Sequence, residues 1–179
     1  MIDLKFIEIP EYLKPFLRKI TVFKSRENLD YLQKVTPSPY ICLSYNHLDI
    51  PEYITSKKNY HFSSRLNIAG PKTDNNIYVK YNCQLYQILI EFKPCMFYLI
   101  YGKSPTLYKN QLIELHVLDK TKTERNLENE LLCTDHTGHQ IDIIGNYLIE
   151  KIKHNYRALN QKIHDAAMIC QNKKGIISK

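Results

Sequence analysis

Four potential metal ligands fall within seven residues at Cys133-Thr-Asp135-His136-Thr-Gly-His139. Thiolate, carboxylate and imidazole are donors of a zinc site, which would normally draw further ligands from a second element. None is indicated, and Asp, His, Thr and Gly are equally the residues of a polar turn between two helices. A metal site built on strands would need a close histidine pair and a carboxylate on facing strands. The earlier part of the chain holds only the separated His47, His61 and His116, with no H-x-H pair. The sequence also lacks a G-x-S-x-G elbow, a P-loop and a G-x-G-x-x-G fingerprint. No catalytic residue, metal or cofactor is therefore expected, and a metal-assisted enzyme built on Asp135, His136 and His139 ranks third among the functions considered.

Binding chemistry is better represented. The chain has 14 tyrosines and no tryptophan, with Tyr45, Tyr78, Tyr81, Tyr86, Tyr98 and Tyr101 on or beside expected strands. Phenols lining a pocket hold a small effector by their ring faces and one hydrogen bond each, which makes Tyr45, Tyr86, Phe92 and Tyr98 the pocket candidates. The same rings would serve equally as core edge and sheet cover. Basic residues concentrate at the end: residues 146–179 carry 7 Lys or Arg against 2 Asp or Glu. Lys162, Lys173 and Lys174 are the candidates for a DNA-proximal face, the alternative being the solvated side of amphipathic helices.

These side chains must be positioned by two kinds of element. Pro10 opens a short helix with Leu13, Phe16, Leu17 and Ile20 at helical spacing, leading into a strand over 20–24. Alternation predicts a strand over 40–46 with one buried face, and further strands over 65–68, 77–81, 85–92 and 96–101. Residues 47–76 are otherwise polar and irregular, with a turn at Asp74-Asn-Asn76. No helix intervenes, so the strands are expected to be antiparallel. Beyond Gly102-Lys-Ser-Pro105 the period changes. Thr121-Lys-Thr-Glu124 is a capping box ahead of Leu127, Leu131 and Leu132. Ile141, Ile144, Leu148 and Ile152 then form one stripe, flanked by Tyr147. Ile144, Tyr147, Leu148 and Ile152 either pack on the sheet or meet a second copy, and they are the dimerisation candidates. A third helix from about Asn160 ends at Lys173-Lys174-Gly175.

The 179 residues, 44% hydrophobic and 24% charged, exclude collagen-like and disordered chains and suit one compact unit with a small appendage. A net charge of +7 and a pI near 9.0 fit attraction to polyanions without naming one. Five scattered cysteines suit reduced thiols in the cytoplasm. Asp3, Glu8 and Glu11 interrupt any signal-peptide core, and the longest apolar run, 95–101, is too short for a membrane span.

Several stretches in order resemble one family: Ile9-Pro-Glu-Tyr-Leu-Lys-Pro-Phe-Leu, Thr36-Pro-Ser-Pro39, Leu66-Asn-Ile-Ala-Gly70, and Glu91-Phe-Lys-Pro-Cys-Met-Phe-Tyr-Leu-Ile-Tyr-Gly-Lys-Ser-Pro-Thr-Leu-Tyr-Lys-Asn110. The chain is similar to the N-terminal regulatory half of AraC-type bacterial transcription regulators, in the branch with an F-x-P-x-x-x-x-x-L core strand. The segment from Ile163 to Ser178 resembles the first helix of their DNA-binding domain. One departure is Cys95, where the family usually has the glycine that a left-handed backbone or close contact favours.

The resemblance implies an α+β fold, an antiparallel cupin-like β-barrel or sandwich followed by C-terminal linker helices. The expected divisions are a regulatory part over 1–119, linker and dimerisation helices over 120–158, and the start of a helix-turn-helix domain over 159–179. Ser178 would cap a further helix, so the expectation is a fragment cut just inside that domain. The implied partners are promoter DNA through a missing C-terminal domain, a small-molecule effector and a second copy in a homodimer, with no membrane. The runner-up is a free-standing small-molecule-binding cupin-like protein.

Overall fold

The computed structural model describes residues 1–55, 59–74, 76–119 and 123–156. Strands β1 (Ile2–Ile7), β2 (Leu17–Asn28), β4 (Cys42–Asn46), β7 (Leu66–Ala69), β9 (Gln84–Phe92) and β10 (Leu112–Glu114) form one sheet, in the order β1-β2-β9-β4-β7-β10. Strands β3 (Tyr31–Lys34), β5 (Glu52–Thr55), β6 (Asn59–Tyr60) and β8 (Ile77–Tyr81) form a second, in the order β3-β8-β5-β6. Every pairing is antiparallel. The sheets are joined where two paired strands cross together: β2 meets β9 as far as Asn28↔Gln84, and β3 meets β8 from Tyr31↔Tyr81. Among the described residues the sheets lie face to face without closing into a barrel.

Helices α1 (Met96–Tyr101), α2 (Leu115–Leu118), α3 (Thr123–Leu132) and α4 (Thr137–Tyr156) cover the other face of the larger sheet. The molecule is thus layered as small sheet, large sheet and helices. The helix-side core takes Leu43, Ile68, Ile88 and Ile90 from the sheet together with Leu127, Leu131, Ile141, Ile144 and Leu148 from α3 and α4. Each fully buried aliphatic side chain there contributes about 1.5–3 kcal/mol. A smaller core between the sheets holds Cys42, Tyr53, Ala69, Val79, Tyr81, Leu85 and Leu112.

The antiparallel strands, and the shared face of Tyr86, Ile88, Ile90 and Phe92, follow the alternation in the sequence. Four features differ from expectation. The N-terminal helix is a single 3₁₀ turn, Glu11–Leu13, because Pro15 has no N–H to continue it. Strands β1, β3, β5, β6 and β10 stand where no strand was expected. Strand β4 is buried on both faces, since a layer covers each side of its sheet. Finally, 96–101 is helix α1 and not a strand. Pro94 can donate no ladder hydrogen bond, Cys95 turns left-handed at φ 66°, and Gly102 at φ 64° closes the helix by donating to Tyr98 O. Met96, Phe97, Leu99 and Ile100 are all buried, so the run shows no helical period. Cys95 thus adopts the backbone that a glycine would take at less cost. The capping residue Thr121, the expected third helix and the segment 159–179 lie outside the described residues.

Candidate functional site: the cavity between the sheets

A cavity of about 150 Å³ lies between the two sheets. Apolar walls come from Phe23, Ile77, Val79, Leu89 and Leu112, and its polar residues include Ser44, Tyr53, Asn67 and Gln87. Strand periodicity explains the placement. In β4, Leu43 and Tyr45 turn to the helices while Cys42, Ser44 and Asn46 turn to the small sheet. In β9, Tyr86 and Ile88 alternate with Gln87 and Leu89, and in β7, Asn67 lies between Leu66 and Ile68. The cross-strand pairs Asn46↔Gln87, Ser44↔Leu89 and Ser44↔Asn67 bring the polar members together.

The Gln87 amide nitrogen is 2.9 Å from Ser44 Oγ, 2.9 Å from Asn46 Oδ1 and 3.2 Å from Tyr53 Oη. Burial raises the Tyr53 phenol's pKa despite its bonds to Gln87 and Ser44, so it stays protonated. Burial likewise pushes the Cys42 thiol up to about 11, which leaves it a poor nucleophile at neutral pH. The Asn67 amide nitrogen donates to Ser64 O at 3.0 Å, while its Oδ1 is buried without a hydrogen-bond donor.

The opposite face of the same strands carries a second polar network, which ties the sheet to the turn between α3 and α4. His47, just past β4, places Nε2 2.7 Å from Asp135 Oδ1. Its Nδ1 is 2.8 Å from Tyr45 Oη and 3.1 Å from Gln140 Nε2. With a carboxylate on one side and two donors on the other, the ring proton belongs on Nε2 and Nδ1 accepts. Tyr86 donates to Gln140 Oε1 and lies 2.7 Å from Thr137 Oγ1. Gln140 Nε2 also donates to Thr134 O at 2.6 Å. Lower on α4, Tyr147 Oη donates to Asp119 Oδ2 at 3.1 Å, and Lys151 Nζ meets the same oxygen at 2.6 Å.

The sequence-derived residues separate accordingly. Tyr45, Tyr86 and Phe92 belong to the helix-side core, and Tyr98 is half-buried on α1; none of the four lines the cavity between the sheets. Ile144, Tyr147 and Leu148 are buried within the chain and Ile152 packs partly against the same core, so the stripe on α4 serves internal packing. In the ligand-like loop, Asp135 is bound to His47, and His136 Nδ1 accepts the His139 N–H at 3.3 Å. His61 and His116 lie beside Glu52 and Glu114, at 3.5 and 3.4 Å. Lys162, Lys173 and Lys174 lie outside the described residues.

Ser44, Asn67 and Gln87 were missed because an apolar–polar alternation also describes a strand with one face in water. The available signal was their kind: amides and a hydroxyl, with no Lys or Glu among them.

Fold and cavity define the protein's class: an α+β protein of two apposed antiparallel sheets, helices over one of them and a small, mainly apolar cavity with polar groups between the sheets. The chain matches no protein-family model and no curated protein sequence. Among the described residues no helix is long and apolar enough to cross a membrane.

Proposed function

We propose that the chain is the regulatory part of an AraC-type transcription regulator: a cytoplasmic, non-enzymatic, cupin-like sensor that takes a small effector between its sheets. As a homodimer it would present DNA-reading domains to promoter DNA through its C-terminal helices. The observation that carries this reading is the double use of β4 and β9. Ser44, Asn46 and Gln87 face the space between the sheets, and their chain neighbours Tyr45, His47 and Tyr86 hold the α3–α4 turn. A ligand that binds one arrangement of these strands better than another shifts that turn by its differential affinity, and coupling of this kind is typically about 1–3 kcal/mol.

A thermal-shift screen of small metabolites, followed by hydrogen exchange on the hit, tests the reading. A ligand at about 100 times its Kd stabilises the native state by about 2.7 kcal/mol. The expected result is a raised Tm together with altered exchange across 133–140. A ligand that raises Tm and leaves that turn unchanged would favour the free-standing binding protein. The reading frame beyond Lys179 is a second test. It should encode about a hundred further residues, an ordinary domain, with two helix-turn-helix units, and a stop codon there would refute the regulator.

A further inference from the structure

We propose that the cavity between the sheets takes a short hydroxy-carboxylate, its carboxylate at Lys72 and Lys34 and its hydroxyl donating to Asn67 Oδ1. The inference rests on the reading of this cavity as an effector site and names the effector's chemistry.

Three features of the lining lead to this class. The first is an open valence. Asn67 is fully buried, and its amide orientation is fixed because the nitrogen donates to Ser64 O; turning it over would set two carbonyl oxygens against each other. Oδ1 is therefore an acceptor without a donor. The neighbouring polar groups do not fill the need, since the Gln87 amide nitrogen already serves Ser44, Asn46 and Tyr53. A ligand that satisfies Asn67 must donate.

The second feature is charge. Lys34 and Lys72 are the charged residues among those lining the cavity. Neither has an ion-pair partner among the described residues. Glu91, which acts with Lys72 on the Cys42 thiol, is held by Arg18. Two unneutralised ammonium groups disfavour a cationic ligand and favour an anion. The third is size. About 150 Å³ of space with apolar walls is the volume that holds a benzene-sized body, on the order of six heavy atoms. A short carbon chain with a hydroxyl inward and a carboxylate outward meets all three.

The experiment titrates the 179-residue chain with ω-hydroxy-carboxylates from glycolate to 6-hydroxyhexanoate, following Tm and binding heat. Each is compared with its plain carboxylate, its diol and its ω-amino alcohol. The chain-length series covers the spacing between hydroxyl and carboxylate. At one length the hydroxy-carboxylate should bind about ten-fold tighter than its plain carboxylate, the worth of one net hydrogen bond. It should also bind more tightly than the diol. Asn67→Leu should abolish the preference for the hydroxyl and keep carboxylate binding. The double variant Lys34→Met/Lys72→Met, at one exposed and one half-buried position outside the core, should abolish the preference for the charge.

A diol or amino alcohol as the tightest ligand would overturn the anion class, as would a hydroxyl preference that survives Asn67→Leu. Binding of such a ligand that is lost when Val79→Trp fills the cavity would keep the effector-site reading while the anion class falls. If neither this panel nor a broad metabolite screen produces a response, both fall.

Discussion

Replacing Tyr86 by phenylalanine removes one oxygen and leaves the ring in place. The ring lies under Lys24 Nζ at 3.7 Å and beside His47 at 4.9 Å, contacts that phenylalanine keeps. What is lost is the donor to Gln140 Oε1 and the partner of Thr137 Oγ1. Gln140 is fully buried, and its nitrogen is already committed to Thr134 O and His47 Nδ1, so the amide cannot turn to find another donor. An acceptor stranded in this way costs about 1–3 kcal/mol. Taking about 2 kcal/mol, Tm should fall by roughly 4–8 °C for a chain of this length. Urea unfolding gives the free energy directly, with an unchanged slope if the two end states keep their exposed surface. Gln140→Leu removes the other partner, and the double variant should be more stable than the sum of the singles by about 1 kcal/mol or more. Hydrogen exchange should quicken at the Gln140 amide, which donates to His136 O, and stay unchanged in β5 and β8. A loss below about 0.5 kcal/mol with additive single effects, the range of an ordinary surface substitution, would refute the idea that this hydroxyl holds the turn to the sheet.

Leu148 is fully buried on α4, so Leu148→Ala should cost about 2–5 kcal/mol in urea unfolding. Leu148→Asp should fail to fold, and a folded, monomeric Leu148→Asp protein would move that residue from core to interface. Gly70→Ala would put a methyl group 1.8 Å from Tyr108 O and should cost about 3 kcal/mol or more. Gly102→Ala meets nothing within 4 Å and should cost only its left-handed strain, about 1 kcal/mol, so equal Tm losses would contradict the packing at Gly70. Burial of Glu114 favours its neutral form, but the N–H groups of Ser64 and Ser63 and the Ser63 hydroxyl outweigh that and hold its pKa below the ordinary carboxylate value. Its stabilisation is therefore complete above the unfolded pKa and fades as pH falls through the folded one. Glu114→Gln should cost about 1 kcal/mol at pH 7, with the gap closing below about pH 4, and a pH-independent gap in urea unfolding would refute this assignment.

Strands β4, β7, β8 and β9 were legible because their apolar residues alternate, and α4 because Ile141, Ile144 and Leu148 recur at helical spacing. Burial on both sides hid the polar lining of the cavity. Alternation shows which residues share a face but not what covers it, and β4 is covered by helices on one side and a second sheet on the other. The polar positions 44, 46, 67 and 87 therefore carry the pattern of a wetted face while being buried. Strand β1 did carry a period of two in Ile2, Leu4 and Phe6, yet Leu4 is 49% and Phe6 60% exposed, so its apolar face marks a sheet edge more than a core. The tyrosines misled for a related reason. Tyr45 and Tyr86 are polar at one atom only, and that atom is used by the helical turn, whereas the cavity takes its polarity from Ser44, Tyr53, Asn67 and Gln87 on the facing sides of the two sheets.

The same arrangement indicates where a ligand-driven change can occur. Strand β9 is hydrogen-bonded to β2 and β4, and β4 to β9 and β7, so neither can shift along its neighbours without breaking two ladders. A slip of one residue would also exchange Ser44 and Gln87 with Tyr45 and Tyr86, burying the wrong face on each side. Movement is therefore confined to small tilts of strands that stay in register. The contacts of those strands with residues 135–140 are of a different kind: side-chain hydrogen bonds that join His47 to Asp135 and Tyr86 to Thr137, with Gln140 accepting from Tyr86 and donating to His47. Each has a net worth of about 0.5–1.5 kcal/mol, and Asp135 is 94% exposed, so water can replace His47 as its partner. A sub-ångström tilt that lengthens two of these bonds changes their energy by as much as a typical allosteric coupling, while the ladders stay intact. Under the proposed effector reading the sheet would be the stiff transmitter and the α3–α4 turn the compliant element, so exchange at 133–140, and not a change in strand pairing, is the measurement that tests it.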